Sequence, residues 1–571
     1  MKTNRMHTCQ LAALALLTAL AGQLTTARAA GPLTPPGAPA PMMKTLQEME
    51  PRTLIASVPY SISAPGSYYL SNNLAVTTGN AITIQASGVT LDLNGFTLSS
   101  SAASATGNAI YISGSYQDIA IFNGHVVSGV TESGGSFSGS GFAYGIYGSS
   151  AYNVRVHDVS VSGVLYSGIY LNYSSSVVAE CAVNIVGSYG ISANVVESCS
   201  ANDCGSYGIY GQQVSDSSGQ SPNGTGLYAS TAINCTGSSS SGYGMYAPFA
   251  QNCYGSSSTS IGLYAYDTAN NCYGYSGSYY SLYTTAANNC YGVNYSTNCP
   301  GIYGYDVNGC YGYGGSAGIY ANGTALGCYG YSNYGYGVYA KAAENCVGYC
   351  YASSGGTYTA PLAGVSANVA NNCYGYSSST TSYYIYGIDA SAANNCQGFA
   401  NYGYGCYVSP GTAQNCFGSS TNSYGVYANT AHNCYGTSLN GYGINSTVAN
   451  NCYGFSQNSD GLDAVTANNC YGYSINGYYG LYCSVANNCY GVCYGSGSGT
   501  GGYGLYGGYS ADNCYGYTSR NSAEGLYATI ARGCYGSATG TSAVGLGAYI
   551  GNSSYGVGTT GESVTLKYNM P

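Results

Sequence analysis

The feature that most constrains the fold is a short motif that recurs along most of the chain. One copy is Ala467-Asn468-Asn469-Cys470-Tyr471-Gly472, and related copies run from about residue 181 to residue 555. Successive cysteines at 416, 434, 452 and 470 are 18 residues apart. A second motif, Gly-hydrophobic-Tyr-Ala, lies about ten residues earlier, as in Gly525-Leu526-Tyr527-Ala528. A fixed period in this range is typical of a solenoid, in which each repeat stacks on the next.

Composition decides which kind of solenoid is predicted. The chain has 87 glycines, 70 tyrosines and only 5% charged residues, so it lacks the Ala, Leu, Glu and Lys that fill surface helices. Leucine-rich repeats need several leucines per unit, whereas most units here carry one aliphatic residue. We therefore predict an all-β fold, a parallel β-solenoid with about 23 rungs at the usual strand spacing and capped ends.

The columns of the repeat indicate which residues face the core. The residue after the first glycine is aliphatic in nearly every rung, as at Leu462 and Leu526, so this column is predicted to be core. The next position is usually Tyr but also holds Asp389 and Asp463, so we expect it to face water. This alternation has the period of two that a half-buried strand shows.

The position before the cysteine is Asn or Gly in every regular rung from Asn234 to Gly533. These residue types adopt the left-handed conformation most readily, so the column predicts a tight turn whose Asn side chains hydrogen-bond along the stack. After the turn the cysteine points inward. Of the 25 cysteines, 18 fall in this column, and we expect mostly buried free thiols with a few disulfides possible. Metal-ligand spacing is missing, so no metal site and no cofactor is predicted.

The ends of the chain differ from the repeat. Residues 1–29 are typical of a secretory signal, with Lys2 and Arg5, an apolar run and the small-x-small site Ala27-Arg28-Ala29. We expect a Pro-rich linker at 30–51, an N-terminal cap with the first strands at 52–100, the β-helix at 101–560 and a C-terminal cap strand at 561–571. No second apolar run reaches the length of a membrane span. The protein is thus predicted to be secreted, extracellular or at the cell surface.

Several segments together resemble a family of secreted bacterial β-helix proteins. They are Glu50-Pro51-Arg52-Thr53, the sequence Pro-Gly-Ser-Tyr-Tyr-Leu at 65–70, Val-Thr-Leu-Asp-Leu-Asn-Gly-Phe at 89–96, the Asn-Cys-Tyr-Gly rungs and the ending Lys567-Tyr568-Asn569-Met570-Pro571. The family belongs to the pectate-lyase-like superfamily of single-stranded, right-handed parallel β-helices. The resemblance covers nearly all of the chain after the signal, and it implies the right-handed coil far more strongly than any activity.

Charge restricts the partners. The net charge is −9, and removal of residues 1–29 leaves 7 basic and 19 acidic residues. Nucleic acid is an unsuitable partner because a phosphate backbone requires a basic surface. Lyases of the pectate type use an Arg or Lys base on an anionic uronate, but the regular region has only Lys341, Arg520 and Arg532 as basic residues. That activity is therefore disfavoured.

The densest ionisable group in the sequence is Arg155, His157, Asp158 and Glu180. We expect His157 and Glu180 to occupy equivalent turn positions of neighbouring rungs, about 5 Å apart. Two interpretations remain open for this group. One is an ion pair that closes the first coils, which we favour, and the other is an acid/base pair.

Glycoside hydrolysis requires two carboxyl groups about 5–9.5 Å apart. Asp389 and Asp463 are four rungs apart, too far, whereas Asp460 and Asp463 on one turn, or Asp267 and Asp306 two rungs apart, could meet the wider distance. The simpler interpretation is that all of these are solvated turn carboxylates. No paired-Asp signature of a polygalacturonase is present.

Outward tyrosines are the most conspicuous chemical feature. Eight that follow the ladder cysteines are predicted to form a contact surface: Tyr254, Tyr273, Tyr291, Tyr311, Tyr329, Tyr435, Tyr453 and Tyr471. Stacked rings stabilise a coil, and they also suit an amphipathic contact strip. Our leading hypothesis is a secreted, non-enzymatic structural or adhesive protein that contacts glycans or cell-surface components and has the capacity for lateral self-association. The alternative is a carbohydrate-active enzyme, a polysaccharide lyase or glycoside hydrolase of the same fold.

Overall fold

The computed structural model describes residues 50–171, 175–351, 362–378, 385–495 and 501–570. Two units can be distinguished, Met1–Pro51 and Arg52–Pro571. The predicted signal at 1–29 and nearly all of the linker at 30–51 lie outside the described residues. Within the second unit the described residues form strands and turns, with no helix among them. The predicted all-β fold is confirmed.

The strands form a parallel solenoid of about 26 turns. Of the strands in the described residues, fifty-nine belong to one hydrogen-bonded network, in which each strand pairs in parallel with its equivalents in the adjacent turns. We predicted about 23 rungs, and the difference arises at the ends. There Thr53–Ile55 pairs in parallel with Gly66–Leu70, and Glu562–Tyr568 pairs in parallel with Val544–Asn552, so these terminal segments count as further turns.

Each turn contributes to three faces, named here after their recurrent residues. The strands that belong only to the leucine face are Tyr60–Ile62, Ile82–Ile84, Asn108–Ile112, Tyr144–Gly148, Ile169–Leu171, Tyr189–Ser192, Tyr207–Tyr210, Thr225–Tyr228, Met245–Tyr246, Ile302–Gly304 and Ala317–Ala321. The strands that belong only to the alanine face are Thr53–Ile55, Gly66–Leu70, Val89–Asp92, Val177–Ala179, Val195–Glu197, Gln213–Ser215, Thr231–Ile233, Phe249–Gln251, Asp306–Asn308 and Thr324–Leu326.

Longer strands run through both of these faces. They are Leu263–Asn270, Leu282–Asn288, Tyr336–Glu344, Leu362–Asn371, Ile385–Asn394, Cys406–Gln414, Val426–His432, Ile444–Asn450, Leu462–Asn468, Tyr479–Asn487, Tyr503–Asp512, Glu524–Arg532, Val544–Asn552 and Glu562–Tyr568.

The tyrosine-glycine face begins just after the cysteine column. It contains Leu74–Val76, Thr97–Ser100, Ala182–Val186, Ser200–Cys204, Ser218–Ser221, Thr236–Ser239, Tyr254–Ser257, Tyr273–Ser276, Tyr291–Asn294, Tyr311–Gly314, Tyr329–Ser332, Val347–Cys350, Tyr374–Ser377, Gln397–Ala400, Phe417–Ser420, Tyr435–Ser438, Tyr453–Ser456, Tyr471–Ser474, Tyr490–Cys493, Tyr515–Thr518, Tyr535–Ala538 and Tyr555–Val557. Gln117–Val127 and Tyr152–Val164 join the alanine face to this one. Gly129–Ser133 and Ser136–Ser140 form a separate antiparallel hairpin.

The core is a stack of like residues from the three faces. Leu481 and Ala486 are 0% exposed and Cys489 is 3% exposed, which confirms the predicted aliphatic and cysteine columns. The glycine after each ladder tyrosine also points inward, since a Cβ on Gly472 would lie 2.3 Å from the carbonyl oxygen of Gly480. The next core position is a small residue such as Ser474, which is 0% exposed. Alanine, cysteine, glycine and serine thus keep the interior narrow.

The Asn/Gly column forms the predicted turn. Its φ angles are positive throughout, for example +52° at Asn469 and +59° at Gly533. The side-chain ladder is also confirmed, because Asn469 Nδ2 donates to Asn451 Oδ1 at 3.1 Å and Asn451 Nδ2 donates to Asn433 Oδ1 at 3.2 Å. A parallel row lies one residue earlier, where Asn468 Nδ2 donates to Asn450 Oδ1 at 2.8 Å.

All 24 cysteines in the described residues are free and buried, as the sequence predicted for most of them. The Cys470 thiol donates to the carbonyl of Asn468 at 3.2 Å. Ser217 and Ser554, which occupy the same column, donate equivalently to Ser215 at 2.7 Å and to Asn552 at 3.0 Å. The site therefore needs a small side chain with a donor hydrogen, and a disulfide is unnecessary.

Candidate functional site

The tyrosines of the tyrosine-glycine face form two stacked ladders. From Tyr254 to Tyr329 the ring centroids are 4.6–5.1 Å apart, with interplanar angles of 7–18°. From Tyr435 to Tyr535 they are 4.4–5.3 Å apart, with angles of 4–20°. All eight predicted contact tyrosines belong to these ladders. The strand spacing of ~4.8 Å sets the ring spacing, and it is close to that of an aromatic stack.

The column between the two ladders is interrupted. The register runs from Tyr329 to Val347, Tyr374, Gln397 and Phe417, so two non-aromatic residues break the stack. Phe417 then stacks on Tyr435 with centroids 5.4 Å apart and an interplanar angle of 14°. The position thus accepts a phenyl ring without a hydroxyl.

The ladder rings are partly open to solvent, and every second or third ring is the most exposed. Tyr254 is 40% exposed, Tyr291 38% and Tyr435 42%. Because neighbouring rings cover each other's faces, the exposed parts are the ring edges and hydroxyl groups. Burial, together with the phenol groups of Tyr453 and Tyr490, raises the pKa of Tyr471 to about 12, so the hydroxyl stays protonated at neutral pH. The ladder therefore presents a row of neutral hydroxyl groups.

The leucine face carries a double row of tyrosines that sequence reasoning only half identified. Besides the predicted column of Tyr407 and Tyr427, a second column runs through Tyr404 and Tyr424, three residues earlier in each turn. Tyr404 stacks on Tyr424 at 5.0 Å and on Tyr407 at 5.3 Å. The motif Tyr-Gly-x-Tyr, which recurs in these turns, was the signal for the second column.

Carboxyl groups replace tyrosines at a few positions of this double row. Asp463 pairs in register with Asn445 on one side and Tyr482 on the other, and Asp460 lies three residues earlier on the same turn. Asp460 accepts hydrogen bonds from the backbone N–H groups of Tyr478 at 3.2 Å and Tyr479 at 2.9 Å. The two aspartates also interact electrostatically with each other.

These carboxylates are half-buried, whereas we expected solvated groups. Burial raises the pKa of Asp460 to about 6, with Asp463 adding to the rise and the two backbone donors opposing it. Burial also raises the pKa of Asp463 and of Asp389. In the same column Ser366 is only 8% exposed. This column points outward as predicted, but its members are only partly exposed, and its shorter side chains are largely covered.

Sequence reasoning also missed Glu524. It pairs in register with Tyr503 and Val544 on the leucine face. Burial raises its pKa to about 6. Arg520, four residues earlier, donates from Nη1 to the carbonyl of Gly477 at 2.6 Å. The sequence signal was a glutamate in place of the tyrosine that precedes Gly-Leu-Tyr.

The group near the first turns has a different arrangement from the predicted one. His157 pairs in register with Ala179, so Glu180 is equivalent to Asp158 and not to His157. Asp158 and Glu180 hold the left-handed turn, with φ of +54° and +53°. The error is one residue: we placed His157 at the turn, although its ring stacks on Phe122 with centroids 4.8 Å apart.

The members of this group are nevertheless close together. His157 Nδ1 lies 3.0 Å from Asp158 Oδ2, and this hydrogen bond is the main cause that lowers the pKa of Asp158. Arg155, His157 and Glu180 line one shallow depression. The acids Asp158 and Glu180 lie at equivalent positions of successive turns, and His157 pairs with Asp158 at an exposed turn, which suits a local ion pair closing the coil.

Neither a metal centre nor a membrane helix is found in the described part of the chain. No group of three or more His, Cys, Asp or Glu side chains is placed to hold a metal ion. No helix there is long and apolar enough to span a bilayer. Burial raises the pKa of Cys406 well above its usual range, so this core thiol stays protonated and a poor nucleophile.

The fold and surface define the class: an all-β parallel solenoid whose faces carry stacked tyrosines. No family model matches the chain, and no curated protein matches it either. Among solved structures, the N-terminal fragment of gene product 12 from bacteriophage Phi29 aligns over 90% of this chain and 88% of that one, with 10% identity and a TM-score of 0.20. A score this low carries no argument, so the fold rests on the strand register. Handedness, secretion and membership of the pectate-lyase-like superfamily stay predictions.

Proposed function

We propose that this protein is a secreted, non-enzymatic structural or adhesive β-solenoid that uses its tyrosine ladders to contact glycans or other surface components. The observation that carries the proposal is the unbroken stack from Tyr435 to Tyr535, with centroids 4.4–5.3 Å apart. It offers a hydroxyl group in every turn along one line. Tyrosine suits surfaces where an apolar ring body meets water and a polar tip bonds to a partner.

The manner of contact follows from the stacking. A sugar ring packs best on an exposed aromatic face, but the faces inside the ladder are covered by neighbouring rings. Contact therefore occurs through ring edges and hydrogen bonds from hydroxyl groups. A partner with its own regular polar groups, such as a neutral polysaccharide surface, fits such a row better than a single soluble sugar.

The test is adsorption of the purified protein to insoluble neutral polysaccharides. A variant with Tyr435, Tyr453, Tyr471 and Tyr490 all changed to Phe keeps the stack, as Phe417 shows, but loses four hydroxyl groups. Four hydrogen bonds at ~0.5–1.5 kcal/mol each correspond to a loss of about thirtyfold or more in affinity. Tyr509 and Tyr549, 72% and 54% exposed and outside the ladder, supply the matched control as a double Phe variant.

Equal adsorption of the ladder variant and the wild type would refute contact through the hydroxyl row. A loss that is just as large in the Tyr509 and Tyr549 control would show that any exposed phenol serves, and would also refute it. Glycan arrays with soluble oligosaccharides complete the test, since we expect weak binding there compared with the insoluble polymers.

A second candidate, a glycoside hydrolase, is favoured by one observation. Asp460 is half-buried next to Asp463 with a pKa raised to about 6, as a general acid requires. The test is release of reducing sugar from neutral glycans by the wild type, Asp460→Asn and Asp463→Asn. Turnover that both substitutions abolish would favour the enzyme, and absence of turnover in a preparation that binds glycan would exclude it.

A further inference from the structure

The second ladder extends four turns beyond Tyr471, the last of the predicted contact tyrosines. Its phenols are Tyr435, Tyr453, Tyr471, Tyr490, Tyr515, Tyr535 and Tyr555, and the last pair has centroids 5.7 Å apart. Tyr490 is 38% exposed, Tyr535 36% and Tyr555 48%. Tyr453, Tyr471 and Tyr515 are partly exposed, so each phenol of the row reaches the surface. This is a continuous line of like, oxidisable groups at the surface.

The thiols of the described residues are shielded from an oxidant in solution. The chain contains no tryptophan. The cysteine beside each ladder tyrosine is buried, with Cys470 2% and Cys489 3% exposed. An oxidant in solution therefore meets the phenols before it meets the thiols.

Stacking determines what a phenoxyl radical in the ladder does. A radical on one ring and an intact phenol on the next exchange a hydrogen atom without net change in energy, because the two groups are alike. The radical is thus shared along the row. Two phenoxyl rings couple through the carbons beside their hydroxyls, which requires edge-to-edge approach, whereas neighbours in the ladder lie face to face. Coupling within the ladder is disfavoured, and the exposed edges are free to meet another molecule.

We propose that the Tyr435–Tyr555 ladder is an oxidative cross-linking site, at which an oxidant of the peroxidase class with hydrogen peroxide joins two copies of this chain through dityrosine. Each phenol loses one electron and one proton. The two radicals form a carbon–carbon bond between the ring carbons beside their oxygens. Each of these carbons then loses its proton and each oxygen takes one up, so both hydroxyl groups are restored. Peroxide accepts the two electrons and two protons and becomes two water molecules. This goes beyond glycan contact and does not depend on it.

The experiment uses the purified full chain with a haem peroxidase and hydrogen peroxide, in the absence of any glycan. The readouts are dityrosine fluorescence, covalent dimers on denaturing gels and mass spectrometry of cross-linked peptides. The ladder variant changes Tyr453, Tyr490 and Tyr535 to Phe, which leaves four phenols with no two adjacent. The control variant changes Tyr266, Tyr509 and Tyr549, which are 57%, 72% and 54% exposed. No aromatic ring stacks on these three in the part of the chain that the structure describes.

We expect dimers whose cross-linked peptides contain ladder tyrosines, a marked loss of dimer in the ladder variant and little change in the control variant. If cross-links map mainly to Tyr266, Tyr509 and Tyr549, or if the ladder variant dimerises as the wild type does, exposure alone governs the reaction and the proposal is wrong. Absence of dityrosine in the wild type also overturns it. Circular dichroism of both variants confirms that the fold is retained, and adsorption to polysaccharide is measured separately, so the two proposals can fail independently.

Discussion

Substitution of Asn469 separates two contributions to the stability of a turn. Its φ of +52° is strained for a residue with a Cβ, and its side chain donates to Asn451 at 3.1 Å. Asn469→Gly removes the ladder hydrogen bond but relieves the backbone, and we expect it to cost ~0.5–1.5 kcal/mol. Asn469→Ala removes the same bond and places there a residue that, unlike Asn and Gly, does not readily adopt the left-handed conformation, which adds ~1–2 kcal/mol. The Asn469→Ala variant should therefore be less stable than the Asn469→Gly variant.

Asn468 provides the matched control one residue away. It also belongs to an Asn ladder, donating to Asn450 and accepting from Asn487, both at 2.8 Å. It lies in the strand Leu462–Asn468 and lacks a positive φ. In a strand glycine costs ~0.5–1 kcal/mol relative to alanine because it loses more backbone freedom. The order should thus invert: alanine is more stable than glycine at 468 and less stable at 469.

Hydrogen exchange of peptides around residues 460–480 measures this effect, because a long solenoid opens locally and a single global unfolding energy is poorly defined. A difference of ~1.4 kcal/mol changes the opening equilibrium about tenfold. The same order of alanine and glycine at both positions would refute the role of the left-handed turn. No change in exchange for any of the four variants would refute the contribution of the ladders.

Three further predictions concern the same turns. Gly472→Ala should lower the local opening free energy measured by hydrogen exchange by ~1–3 kcal/mol, because its Cβ would lie 2.3 Å from the Gly480 carbonyl oxygen and the next turn must shift. Unchanged protection would contradict the inward direction of this position. Cys470→Ser should change stability little, because Ser217 makes the equivalent hydrogen bond, whereas a large loss would indicate that the thiol itself is required. Burial raises the pKa of Asp460 from 3.8 to about 6, so its ionised form opposes folding, and the local opening free energy around residue 460 should fall as pH rises through this interval. Asp460→Asn should flatten that slope in hydrogen exchange of peptides around residues 460–480 between pH 4 and 7, corrected for the intrinsic pH dependence of exchange. An unchanged slope would refute the assignment.

The repeat made much of the fold predictable. Like residues must stack when a period of 18 recurs, so the restriction of one column to Asn and Gly identified the turn at Asn469 without coordinates. From there, alternation placed Cys470 inside and Tyr471 outside. Many turns place the same residue types at the same position, whereas one turn alone carries no such pattern.

The remaining features depend on what lies beside a residue in the adjacent turn. His157 was misplaced by one residue because the early turns lack the Asn-Cys marker that fixes the register. Asp460 was expected in water, although tyrosines that are distant in sequence cover it. The inward glycine, as at Gly472, and the buried serine, as at Ser474, recur clearly enough to have been noticed. Their role is to keep the core narrow, and the width of the core depends on all three faces together.

The geometry also explains why single substitutions are a weak probe of this surface. Backbone pairing sets the ring spacing, so the column accepts Phe417 within a stack and Gln397 as a gap without loss of register. Any contact made by the ladder is therefore divided among many equivalent turns, each of which contributes little. Removal of one hydroxyl group changes only a small fraction of the contact energy. Removal of alternate hydroxyl groups breaks the continuity of the row, which no single turn provides by itself. Functional tests must accordingly alter several turns together and compare them with equally exposed tyrosines outside the ladder.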